Sequence, residues 1–161
     1  MNIFVLDNDA RLAAKYQCDK HVVKMVLETA QLLCSAHDNA PYKKTHYNHP
    51  CAVWTRASMS NYEWLVWHGI CLAEEYEARF DRTHKSKEVI MWCDTNKPNI
   101  LDFGQTPFAQ AMPDKYKHED AVTAYRNYYV GEKASIAQWR YCDTPVWFTQ
   151  GLRNNGLLSG S

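Results

Sequence analysis

No apolar run in this 161-residue sequence approaches the roughly 18–20 residues that a membrane-spanning helix needs, so no membrane segment is expected. Neither sign of charge is in surplus. Eighteen basic side chains meet eighteen acidic ones, which excludes a histone-like coating protein while leaving room for a local basic stripe. Paired Cys-x-x-Cys motifs are also missing: the six cysteines, at 18, 34, 51, 71, 93 and 142, have the spacing of free, mostly buried thiols and not of a disulfide framework. Nor is there a Gly-x-Ser-x-Gly elbow, a Walker loop or a dinucleotide glycine pattern, so serine hydrolases, P-loop enzymes and Rossmann enzymes lose support. The opening from Met1 to Asp7 shows no basic leader, and a cytoplasmic location is expected.

What is present is a globular composition, 46% hydrophobic and 22% charged, with an aromatic share of 13% whose rings need a core or a ligand to stack on. The expectation is one compact helical domain over residues 1–155, mainly α with a short N-terminal extended segment, and a flexible tail over 156–161. Ile3 to Leu6 reads as strand or extended chain. Asp9 is positioned to cap a helix from Ala10 to Gln17, and Asp19 to cap a longer one from Lys20 to about His37. After a loop, Pro50 suits the first position of a short helix, and Ser60-Asn61-Tyr62-Glu63 matches a capping box opening a helix to about Phe80. Another helix is expected from His84 to Asp94, an irregular segment from Asn96 to Lys117, a helix from about Glu119 to Arg140, and a closing Pro145 to Phe148 segment.

At 100° per residue, Lys20, Lys24, Glu28, Gln31 and Ser35 fall within an arc of about 80°, with His21 beside it and apolar residues around the rest. Such a stripe faces water or a cleft. Asn61, His68, Glu75 and Arg79 form a second stripe that suggests an internal polar network, although Glu75 and Arg79 also suit a plain i,i+4 ion pair. Arg126, Tyr129, Lys133 and Arg140 form a third. Basic groups interleaved with tyrosine suit a phosphate backbone with bases to stack on, and equally suit neutralisation by a neighbouring acidic face.

Cys18, His21, His46 and His49 include metal-ligand types, yet their spacing lacks the paired cysteines of structural zinc, and neither a metal nor another cofactor is expected. His46, Asn48 and His49 read instead as hydrogen-bonding loop residues. Acid/base or amine chemistry remains: Glu28, on a mostly buried helix with Lys24 one turn back to hold it, is the best acid/base candidate. Lys20 and Lys24 offer amines for nucleophilic attack or for phosphate binding.

Ile3-Phe4-Val5-Leu6-Asp7, the Ala13-Ala14 helix, Cys18-Asp19-Lys20-His21-Val22-Val23-Lys24-Met25 with Glu28 and Gln31, and Asn48-His49-Pro50 with Trp54 together resemble a family common in bacteriophage genomes. More distantly they are similar to the bacterial pyrimidine-dimer DNA glycosylases. That resemblance implies a small, mainly α protein that cleaves a base–sugar bond and then nicks the strand through an imine-linked lyase step. It further implies an α-amino nucleophile at the chain start and a helix Glu as acid/base, the role that falls on Glu28. Since Asn2 is too large for the usual methionine removal, the amine falls on Met1, and the N-terminus must then lie beside Glu28.

The leading expectation is therefore a DNA-processing hydrolase and lyase of the glycosylase type, working on damaged or modified pyrimidines, in the host cytoplasm if phage-encoded. Catalytic candidates are Glu28, Lys24 and His49. Substrate-binding candidates are Lys20, His21, Gln31, His46, Asn48, Trp54, Arg56, Asn61, His68, Arg126 and Tyr129, with Trp54 and Tyr129 among the rings offered to an extruded base. Two alternatives stand: an enzyme modifying nucleotides or bases, and a non-enzymatic adaptor binding a host protein. The partner is DNA or a nucleotide, and the oligomeric state is not legible.

Overall fold

The computed structural model describes residues 1–156, and all regular structure among them is helical. Residues 157–161 of the expected tail lie outside the described residues. The helices are α1 (Ala10–Tyr16), α2 (Asp19–Cys34), α3 (Pro50–Ala57), α4 (Met59–Phe80), α5 (Lys87–Thr95), α6 (Ala121–Glu132) and α7 (Val146–Asn154), with a 3-10 turn at Asp114–Tyr116. Among the described residues no helix is long and apolar enough to cross a membrane.

Helix α4 is the axis, and α1, α2, α3 and α5 pack around it while α6 pairs with α7. Close approach needs a small residue: a Cβ on Gly69 would lie 2.9 Å from Thr29 Cγ2 and 3.0 Å from Ile90 Cδ1, so α4 meets α2 and α5 where a side chain has no room. Caps behave as composition dictates at two places. Asp9 accepts from the amides of Arg11 and Leu12, and Pro50 occupies the first turn of α3.

Helix boundaries differ from the sequence expectation at several places: α2 ends at Cys34 and not near His37, α5 starts at Lys87 and not at His84, and three further differences have a cause in distant contacts. The proposed capping box at Ser60 is replaced by a distant cap: Asp102 Oδ1 accepts from Ser60 N, Ser60 Oγ, Ser58 Oγ and Gly104 N, and these donors hold its pKa down at about 2. Helix α2 starts at Asp19 itself, because that carboxylate is taken by Arg79 and by the Arg140 amide. The last long helix stops at Glu132 and does not reach Arg140. Residues beyond it peel away, so that Gln138 O accepts from Asp19 N at 2.7 Å and Trp139 Nε1 donates to Tyr16 O at 2.9 Å. These tertiary bonds serve the junction of α1 and α2 and override the helical periodicity. The Pro145 to Phe148 segment is the first turn of α7.

The stripe on α4 is internal. Asn61 and His68 are fully buried, and Arg79 is 2% exposed. Arg79 donates to Gln17 O at 2.7 Å and Lys15 O at 2.9 Å, carbonyls at the open end of α1, and pairs with Glu75 at 3.1 Å, as the i,i+4 spacing also allows. Asn61 holds Trp54 O and both polar groups of Thr106. All six cysteines are free, and five are buried.

Arg79→Met should cost about 3–5 kcal/mol, since it strands Asp19, Glu75 and two carbonyls, and a urea titration measures it. A second expectation concerns acid. Burial lowers the pKa of His68 to about 4, and burial with help from the charges of Lys133 and Lys24 lowers that of His21 to about 3, from 6.5. Both rings are neutral when folded and gain a proton on unfolding. Their contribution is complete above pH 6.5 and is lost as pH falls, at about 1.4 kcal/mol per ring and pH unit. Unfolding midpoints between pH 7 and 5 should show this slope, and His68→Gln should flatten it.

Candidate active site

Residues 1–9 form neither helix nor strand, and Asn2 to Leu6 are all buried. Without a sheet, their polar backbone groups have to find side chains. Gln17 Nε2 donates to Ile3 O, Arg126 Nε donates to Leu6 O, and Asn2 Oδ1 accepts from both Ile3 N and Phe4 N. Asn2 Nδ2 reaches across to Ala111 O at 2.8 Å. Phe4, at φ 58°, bends through the left-handed region, which costs a bulky residue strain and is held here by its neighbours. Its ring stacks on His21 at 4.2 Å.

The outcome is placement of the chain start. The α-amino nitrogen of Met1 lies 3.3 Å from Glu28 Oε1, and the Asn2 amide donates to the same oxygen at 3.1 Å. Glu28 is only 6% exposed. Its second oxygen, Oε2, lies 3.5 Å from Lys24 Nζ and has no hydrogen-bond partner. One carboxylate oxygen thus holds the amine while the other, itself buried, lies beside the Lys24 ammonium without a hydrogen-bond partner. A buried carboxylate is tolerable because the amine, the amide and Lys24 surround it.

These groups border a cleft of about 450 Å³. His49 and Pro50 form one side, Gln110 to Met112 another, and Lys117, Tyr128 and Lys133 a third. The Gln110 to Met112 stretch is pinned by Tyr125, whose hydroxyl donates to Ala109 O and accepts from Ala111 N. His49 Nδ1 accepts from the Cys51 amide as the N-cap of α3, so the neutral ring carries its proton on Nε2. Burial first, and then the charge of the chain-terminal amine, lower the His49 pKa, against the opposing pull of Glu28. The cleft is therefore cationic around a single carboxylate, with a neutral imidazole as a donor.

Of the residues expected from sequence, Glu28, Lys24 and His49 meet here. The stripe on α2 is rotated from its expected centre: Lys20, Val23, Lys24 and Leu27 are exposed, while Glu28, Ser35 and His21 turn inward. Gln31 is half-buried, on the far side of Lys24 from the cleft, in a neighbouring groove. His46 and Asn48 are exposed in the loop before α3, and Arg56 lies over the Tyr47 ring at 3.6 Å. Trp54, Asn61 and His68 are core residues with internal partners. Tyr129 is fully buried, its hydroxyl 2.5 Å from His21 Nδ1, and it is the preceding residue, Tyr128, that borders the cleft. Arg126 pairs with Asp7 at 3.1 Å, and Arg140 lies outside the helix altogether. Cys18 packs under the Tyr129 hydroxyl, and among the described residues no three His, Cys, Asp or Glu side chains gather as a metal site.

Sequence reading passed over Asn2, Gln110, Met112, Lys117 and Tyr128. Asn2 left a trace in retrospect, as a polar residue ahead of an apolar run that has no strand partner. Lys117 and Gln110 sit in the irregular segment, where no periodicity reveals a facing.

The sequence model of the family described as pyrimidine dimer DNA glycosylase matches residues 1–88, more than half of the chain, and the chain belongs to that family. Searches of curated proteins and of solved structures give no match. The matched part holds Met1, Lys24, Glu28 and His49, whereas Gln110, Met112, Lys117, Tyr128 and Lys133 come from beyond it.

Proposed function

We propose that the protein is a DNA N-glycosylase with an imine-forming lyase step, acting on damaged or modified pyrimidines, with the Met1 α-amino group as nucleophile and Glu28 as acid/base. One observation carries the reading: a buried carboxylate oxygen 3.3 Å from the chain's own amine, at the bottom of a cationic cleft. Other amine–carboxylate pairs among the described residues are shorter, such as Lys87–Glu77 at 2.8 Å, but that pair is a third exposed on both sides, whereas the Met1–Glu28 pair is buried.

Glu28 Oε1 is the acceptor nearest the amine, and an amine that has given up one proton attacks C1′ of the target nucleotide. The bond from C1′ to the pyrimidine nitrogen breaks, and the base leaves with the electron pair and takes a second proton from the attacking nitrogen, which regains its lone pair. The nitrogen lone pair then expels the ring oxygen, which receives its proton from Glu28, and an iminium forms between Met1 and C1′. Glu28, again a carboxylate, removes a C2′ proton, the C2′–C3′ double bond forms, and the 3′ phosphate departs. Water finally releases the enzyme. Lys24, Lys117 and Lys133 supply positive charge where the phosphates lie, and His49 Nε2–H supplies a hydrogen-bond donor. The ring of Tyr128 is the surface against which an extruded base stacks.

End-labelled duplexes carrying ultraviolet-damaged, hydroxymethylated or normal pyrimidines, incubated with borohydride, test this. The expected result is a reduced covalent adduct that maps to Met1 by peptide mass. Glu28→Gln should lower turnover by about 10²–10⁴-fold with DNA binding retained. An adduct on Lys24, or no adduct and no abasic product on any of the duplexes, overturns the assignment.

A further inference from the structure

Beside the cleft runs a second concavity, about 870 Å³, whose walls are the outer face of α2, the loop from Pro41 to Thr45 and the turn from His84 to Ser86. The walls are tied together. Tyr42 Oη lies 2.9 Å from Ser86 Oγ, and His84 Nε2 lies 3.0 Å from Val23 O. With His84 Nδ1 accepting from the Ser86 amide, the ring donates to Val23 through Nε2, so the groove exists before any ligand arrives.

Its charge is one-sided. Lys24, Lys43, Lys44 and Lys85 line it, and no Asp or Glu does, in a chain whose acids and bases are equal in number. Lys44 is engaged by the exposed Asp38 at 3.1 Å, a weak surface pair, and among the described residues Lys43 and Lys85 have no ion-pair partner. The floor is apolar, with Val23 and Leu27 exposed by 42% and 40%. Lys24 is common to both concavities: its ammonium pairs with Glu28 in the cleft, and its side chain walls the groove.

We propose that this groove carries the phosphodiester backbone that flanks the target nucleotide, so that the DNA strand passes over Lys24 on its way into the cleft. Lysines from three separate segments meet the phosphates as point charges, and Val23 and Leu27 meet the sugars. The inference rests on reading the cleft as a glycosylase site and adds the path of the strand. Continuity with the cleft favours nucleic acid over an acidic protein segment, which has no reason to end at a nucleophile.

The test is the salt dependence of binding to an undamaged duplex, followed by fluorescence anisotropy, which needs no catalysis. Lys43→Ala/Lys85→Ala should reduce the slope of log K against log salt by about 2, roughly 0.9 for each phosphate no longer neutralised. Lys97→Ala, whose ammonium pairs with Glu63 and Asp94, should leave the slope as it is. Lengthening the duplex arms should tighten binding by the wild type and not by the double variant. A double variant with the wild-type slope overturns the groove assignment, also when it loses affinity for an acidic peptide instead. A reduced slope beside a wild-type protein that traps no adduct upholds the groove and refutes the glycosylase reading, so the two fail separately.

Discussion

Burying an extended backbone inside a helical protein imposes a debt of hydrogen bonds, and the rest of this structure is arranged around meeting it. A strand in a sheet satisfies its amides and carbonyls along a ladder; Asn2 to Leu6 have no ladder. Gln17, Arg126, Asn2 and Glu28 therefore act as surrogate neighbours, drawn from α1, α6, the segment itself and α2. Glu28 is the carboxylate among these, and it lies at the segment's beginning. The satisfaction of the backbone and the proposed acid/base role fall on one side chain.

Electrostatics in the cleft follow from the same arrangement. A carboxylate with 6% exposure would be costly alone, yet the chain-terminal amine and Lys24 flank it with opposite charge. Lys117 and Lys133 then extend the positive field outward, although the chain as a whole is neutral. Field focusing in a concave, partly desolvated site does not require net charge on the protein. His21, kept neutral by burial, supports Phe4 by stacking and contributes no charge of its own.

Much of the fold was legible because helix starts depend on local chemistry. Asp9 and Pro50 act within one turn of themselves, and the α4 stripe of Asn61, His68, Glu75 and Arg79 pointed to an internal polar network, although Asn61 and His68, which are buried, had also been offered to substrate. Errors arose where distant residues supply the caps. Asp102 replaces the expected capping box at Ser60, and the bond between Gln138 and Asp19 ends the regular structure that periodicity carried on to Arg140. In the site, Glu28 and Lys24 were visible as an i,i+4 pair, whereas a difference of one residue separates Tyr128 at the cleft from Tyr129 in the core. Periodicity at 100° per residue does not resolve two neighbouring tyrosines on a helix whose packing is unknown. The juxtaposition of the amine with Glu28 belongs to the same class: resemblance required it, and only packing of the first six residues delivers it.

A backbone nitrogen, unlike a side chain, is altered by how a protein is made. An acyl group on the Met1 nitrogen would put an amide where the amine now meets Glu28 Oε1, 3.3 Å away. An amide carries no positive charge and no nucleophilic lone pair, so the buried carboxylate would lose its closest counter-ion. Fusing an affinity tag ahead of Met1 would do the same permanently, with the added burden of threading a peptide out through the cleft. On the proposed mechanism, a block on this one nitrogen silences the cleft with every side chain unchanged.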